Sequence, residues 1–77
     1  MEGIVTIDLH GKNTYQARVA VDAALRRVKA GTYRLRLIHG YHSGTALRDM
    51  VRSEYGARVL RIQPISEGVT DLVLREF

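Results

Sequence analysis

Asp8, His10, His39 and His42 are of the types that move protons near neutral pH or orient groups that do. They fall in two stretches, IDLHGKN at residues 7–13 and HGYHSGTALR at 39–48, each placed where an apolar alternating run gives out. Hydrolysing a phosphodiester needs an activated water, charge stabilisation on the phosphoryl oxygens and a proton for the leaving oxygen, and one carboxylate with imidazoles can divide that labour. In this reading Asp8 orients a histidine or binds a cation, His10 is general base or acid, and His39 or His42 is its complement or a donor to the phosphate. A structural reading stands beside it. Asp8 then caps the turn through Gly11, His10 bonds a loop carbonyl, His39 packs at the strand end against a backbone group, and His42 faces solvent. The cluster matches no standard ligand spacing, so resident zinc is not expected, while a transient magnesium or manganese ion stays open.

The elements that must position these residues are legible from periodicity. Residues 4–9 put Val5, Ile7 and Leu9 on one face and Ile4, Thr6 and Asp8 on the other, which is the period of a strand. From Asn13 or Thr14 the spacing of Ala17, Ala20, Val21, Ala24 and Val28 becomes helical, opened by a polar cap and closed by Gly31. Residues 32–38 alternate as a second strand. Residues 45–55 form a second helix through Leu47, Met50 and Val51, with Ser43 or Thr45 as cap and Gly56 as terminator. Two strands follow near 57–63 and 69–75, separated by PISEG.

The order βαβαββ implies parallel pairing with right-handed crossovers for the first three strands and an antiparallel last strand. One sheet face then holds Val5, Ile7, Leu35, Leu37, Leu60, Ile62, Leu72 and Leu74. The other carries Arg34, Arg36, Arg61 and Arg75, relieved by Asp71, with Ile4, Ile38, Val69 and Val73 among them, so it reads as mixed and open to packing or dimerisation. In parallel βα units ligands lie beyond the carboxyl ends of the strands, which brings both histidine stretches to one edge. Two helix N-termini open there, and their N–H groups suit an anion.

Composition narrows the classes further. A chain of 77 residues with one proline and no cysteine is expected to be a single domain, 1–77, without disulfides or thiolate metal sites, in a reducing cytoplasm. No apolar run approaches the length of a membrane span, so no membrane partner is expected. The formal charge of +4, with ten arginines among twelve cations, favours anionic partners such as nucleic acid. Arg26, Arg27 and Lys29 end the first helix, where cations complement its dipole.

The acid-Leu-His-Gly segment ending the first strand, the His-Gly loop ending the second and the following TALRDMV together resemble the Smr (small MutS-related) domain, from Ile4 to Phe77. The resemblance implies a two-layer α/β sandwich, a four-stranded mixed sheet with both helices on one face, similar to the C-terminal domain of translation initiation factor three. It implies a nucleic-acid-binding domain that cleaves or nicks DNA or RNA, with the family's acid and histidine on Asp8 and His10 and its His-Gly pair on His39 and Gly40; His42 completes the catalytic set on the reading of the residues alone. Gly11, Lys12, Gly40, Tyr41, Ser43, Gly44, Thr45 and Arg48 would contact nucleic acid, Tyr41 by stacking on an unpaired base. The alternative is a non-catalytic nucleic-acid or ribosome-binding module that uses the same loops as a phosphate cradle. Members of the family occur alone or within a larger MutS-like chain. Where the family commonly has His-Gly-Lys-Gly, this chain has His39-Gly40-Tyr41-His42, without the lysine charge or the second glycine.

Overall fold

A computed structural model describes residues 3–40 and 45–76. The elements are β1 (Ile4–Asp8), α1 (Thr14–Arg27), β2 (Arg34–Ile38), α2 (Ala46–Tyr55), β3 (Arg61–Ser66) and β4 (Val69–Val73), so the order is the expected βαβαββ. Asn13 caps α1 in a reciprocal box, its side chain accepting from the Gln16 N–H at 2.8 Å while Gln16 accepts from the Asn13 N–H at 3.0 Å. The helix ends at Arg27, earlier than a stop at Gly31 would require, because Val28 already adopts an extended backbone.

Ala17, Val21 and Ala24 of α1 and Leu47, Met50, Val51 and Tyr55 of α2 share one core with Leu35, Leu37 and Leu72 of the sheet. Both helices therefore cover the same face. Tyr55 is buried and ties them, its hydroxyl donating to Asp22 Oδ1 at 2.8 Å. That bond holds the Asp22 carboxyl below its ordinary range, while burial and Asp22 push the Tyr55 phenol up.

The strand order is β1-β2-β4-β3. β1 and β2 pair in parallel, but β3 does not pair with β2: β4 lies between them, antiparallel to both. The third strand thus keeps the expected direction and takes a different neighbour. The reason is in the sequences of the last two strands. β4 is buried from Thr70 to Val73 and suits the interior of the sheet, whereas β3 holds Pro64, which lacks a ladder donor and is tolerated at an edge. β3 starts later than the 57–63 expectation and runs through Pro64, with a shift in register between Pro64 and Ser66. Leu60 consequently precedes the strand and is 56% exposed instead of joining the apolar face.

The helix-free face carries an ordered polar network through its middle. In register across it stand Thr6, Arg36, Asp71 and Gln63. Asp71, fully buried, accepts from Arg36 Nε at 2.8 Å and NH2 at 2.9 Å, and from Arg34 NH1 at 2.9 Å. Gln63 Oε1 joins Arg34 to Arg61, which continues to Glu76. Val73 lies between Arg34 and Arg61 in register and is buried. Ile4, Ile38 and Val69 on the same face are only half-buried. No helix of the described residues is long and apolar enough to cross a membrane.

Candidate functional site

Leu9 explains the placement of its two neighbours. It is fully buried in the core, and its N–H donates to the Ile38 carbonyl at 2.7 Å, extending the β1–β2 register one residue past the strand. Residues on either side of it must then project the other way, so Asp8 and His10 emerge together into solvent. Their side chains are 58% and 71% exposed and meet directly, His10 Nδ1 to Asp8 Oδ1 at 2.6 Å. The same oxygen accepts the His10 backbone N–H at 3.1 Å.

Because a carboxylate only accepts, the bond network assigns the ring proton to Nδ1 and leaves the Nε2 lone pair directed away from Asp8. The side-chain bond from His10, then its backbone N–H, holds the Asp8 carboxyl below the ordinary carboxylate range. Asp8 therefore stays ionised at neutral pH, oriented to stabilise a positive charge arriving on His10. Gly11 follows at φ +81°, a turn that a side chain would strain, and Lys12 closes it with an N–H to Leu9 O at 3.1 Å.

His39 has a different environment. It is buried, with Nδ1 donating to the Gly40 carbonyl at 2.9 Å and Nε2 at 2.8 Å from Thr70 Oγ1. Both nitrogens are thus engaged inside the protein, which is the packed arrangement rather than an open one. The next residue, Gly40, has φ +75°, and a Cβ built there would lie 3.5 Å from His10 Cβ. The β2 loop therefore reaches the dyad through Gly40, and His39 holds that glycine in place. The turn before β4 completes the frame: the N–H groups of His39 and Gly40 donate to Gly68 O at 2.9 and 3.0 Å. Gly68 and Thr70 did not stand out as site residues in the sequence, although a threonine on the core-facing side of a strand with Leu72 and Leu74 was a signal that something polar waits inside.

Several N–H groups at the edge expected to suit an anion already have partners within the chain. The N–H groups of His10, Lys12 and Gly40 are engaged internally, and the Gln16 N–H is taken by the Asn13 cap. At α2, Thr45 is the N-cap residue but its hydroxyl donates to Asp49 at 2.9 Å, and Asp49 already places negative charge in the first turn. The Arg48 guanidinium lies beside Asp49, 3.8 Å away. Of the cations expected at this edge, Lys12 lies on the turn after β1 and Arg48 in the first turn of α2. Tyr41, His42, Ser43 and Gly44 lie outside the described residues. Among the described residues no group of three or more His, Asp or Glu is gathered as a metal site.

The two positive-φ glycines carry a testable consequence. Gly40→Ala is expected to cost about 1–2 kcal/mol through left-handed backbone alone, since its new methyl would make only ordinary contact with His10. Gly11→Ala, with open space around it, is expected to cost the same. Thermal melts of both variants check this, and a much larger loss at Gly40 would mean that close packing on the dyad matters more than backbone.

Comparison with known proteins agrees with this architecture. The chain matches the Smr domain family over residues 7–64, a segment that holds the dyad, both helices and the start of β3. It is similar to the crystal structure of the Smr domain of Thermus thermophilus MutS2, at 34% identity and a TM-score of 0.79, over 94% of this chain and 99% of that one. A search of curated proteins returned no match. With the family matched over most of its length and a relative of the same fold at this identity, the chain is a member of the Smr domain family.

Proposed function

We propose that this domain binds nucleic acid and cleaves its backbone, with His10 as the proton-transfer residue and Asp8 as the group that orients and supports it. The observation that carries this reading is the Asp8–His10 pair: an ionised carboxylate on Nδ1, an Nε2 directed away from it, and both residues in the open at the carboxyl edge of the sheet. His10 Nε2 takes a proton from an attacking hydroxyl, water or the 2′-hydroxyl of RNA, as its oxygen bonds to phosphorus and the P–O bond to the leaving oxygen breaks; Asp8 stabilises the imidazolium that results, and the leaving oxygen takes its proton from solvent. Lys12, on the same turn, and Arg48 meet the phosphate. His39 acts through position, holding Gly40 beside His10. The formal charge of +4 supports a polyanionic substrate. A divalent cation would find the single carboxylate of Asp8 at this turn.

The test is incubation of the purified domain with supercoiled plasmid, structured RNA and single-stranded RNA, with and without magnesium or manganese. Nicked plasmid or shortened RNA is the expected outcome. Binding with no cleavage of any substrate would replace this reading with the binding module. Binding itself is expected to weaken with salt: the two phosphate contacts of Lys12 and Arg48 predict a loss of about 7- to 12-fold between 50 and 200 mM salt, the smaller value for single strands. Salt-independent binding would argue against phosphate contact at this edge.

A further inference from the structure

The sheet has two edges, and only one is guarded. Along β3 stand Pro64, a break in register and an exposed run from Pro64 to Ser66, features that discourage another strand from adding. β1 has none of these. It offers Ile-Val-Thr-Ile before Asp8, with unbroken pairing to β2 throughout. Gly3 O accepts from the Tyr33 N–H and the Leu9 N–H donates to Ile38 O, so odd-numbered residues turn their backbone groups toward β2. By strand alternation Ile4, Thr6 and Asp8 turn theirs outward.

Beside this edge, on the helix side, runs a groove of about 590 Å³. Val5, Ile7, Ala24 and Val28 line it, with Arg27 and Lys29 at one end. Gly31 and Thr32 line it too and lead into β2, whose first residue pairs with Ile4, so the cations stand at the beginning of β1. Among the described residues neither cation is paired with an acid.

We propose that the β1 edge is a strand-addition site for an extended peptide segment of another protein, antiparallel to β1, with two apolar side chains at alternate positions and an Asp or Glu two residues further on. The backbone groups of Ile4, Thr6 and Asp8 supply the hydrogen bonds, and antiparallel pairing makes them straight. Alternate side chains of the incoming strand descend beside Ile7 and Val5, and the next position on that side arrives at Arg27 and Lys29, where an acid is complementary. A second copy of this chain fits less well. Its own β1 carries Asp8 on the opposite face, with Ile4 and Thr6, and two copies would bring together formal charges of +4 each. The proposal does not rest on cleavage activity.

The experiment titrates the isotope-labelled domain with the synthetic peptide acetyl-Thr-Val-Thr-Val-Thr-Glu-Thr-amide, and with the same peptide carrying Lys in place of Glu, following amide shifts and exchange. Expected are shifts and slowed exchange concentrated at Ile4, Thr6 and Asp8, and binding about three- to fivefold weaker for the Lys peptide. Lys29→Glu reverses that preference. Thr6→Pro removes an outward N–H and spares the β1–β2 ladder, so it weakens the Glu peptide about tenfold or more. Equal binding of the two peptides, or shifts centred away from β1, would overturn the proposal. So would a peptide-free dimer in which those same amides are already protected, since a second copy would then hold the edge. The charge reversal reads the site even if Thr6→Pro does not fold.

Discussion

Cleavage by His10→Ala falls by about 10²–10⁴-fold, the range expected when a positioned acid or base is removed, while affinity for the same substrate stays within about twofold. The separation of the two readouts is the point of the experiment. The His10 side chain is largely exposed and Leu9, not His10, anchors the segment in the core, so the truncation leaves the fold and the β1–β2 register intact. Asp8→Asn keeps the shape of the turn but removes the charge that supports an imidazolium and weakens the preference for a proton on Nδ1, so a loss of about 10²–10⁴-fold is expected there too. Because the two side chains act as one unit, the double variant is expected to be no worse than His10→Ala alone. The Asp8 carboxyl is held below its ordinary range by the bonds from His10. Its ionisation is complete at neutral pH, so a fall in rate between about pH 5 and 8 belongs to another group. Wild-type cleavage by His10→Ala would reduce the dyad to a turn-forming device.

Asp71→Ala is expected to lower stability by about 2–4 kcal/mol, or about 10–20 °C in melting temperature for a domain of this size. The carboxylate is fully buried and receives hydrogen bonds from two guanidiniums, and removing it leaves Arg34 and Arg36, side by side on β2, as like charges with no acid between them. Their side chains remain 20% and 33% exposed and can turn partly toward water, which keeps the loss below that of a completely enclosed pair. Arg36→Lys forfeits the two-pronged contact and is expected to cost about 1 kcal/mol.

The pH dependence has a definite sign. Burial pushes the Asp71 carboxyl up, but hydrogen bonds from Arg36 and Arg34, reinforced by their charges, bring it below its ordinary value. A carboxyl lower in the folded than in the unfolded chain contributes fully above about pH 4 and loses that contribution as pH falls through its folded value. Wild-type stability is therefore expected to drop in acid, with a shallower acid limb in Asp71→Ala. Denaturant melts at pH 7 and pH 3 check both statements. A loss under about 1 kcal/mol at pH 7 would show that water screens the network more than its burial implies.

The interior arginine network marks a boundary between what periodicity conveys and what it cannot. Alternation placed Arg34, Arg36 and Asp71 on one face, but face assignment says nothing about closure over a carboxylate. That closure depends on β4 lying next to β2, and strand order is a long-range choice. It was settled by which of the last two strands could tolerate an edge: Pro64 made β3 the outer one, and the apolar β4 moved inside.

The amino-acid sequence by itself determined the six elements, the parallel β1–β2 pair and the emergence of Asp8 and His10 at its carboxyl edge, because each follows from local periodicity, from the βαβ order and from the buried Leu9 between the two polar residues. Tertiary structure alone decided the fate of His39 and of the backbone groups beside it. Asp8 and His10 were legible as neighbours two residues apart, whereas the burial of His39 against Thr70 joins positions 31 residues apart and needs β4 beside β2. The His39 and Gly40 N–H groups were likewise committed by contacts with Gly68 that only the folded chain brings into reach. Local spacing fixes which way a side chain points; whether a polar group is free depends on what the rest of the chain packs against it.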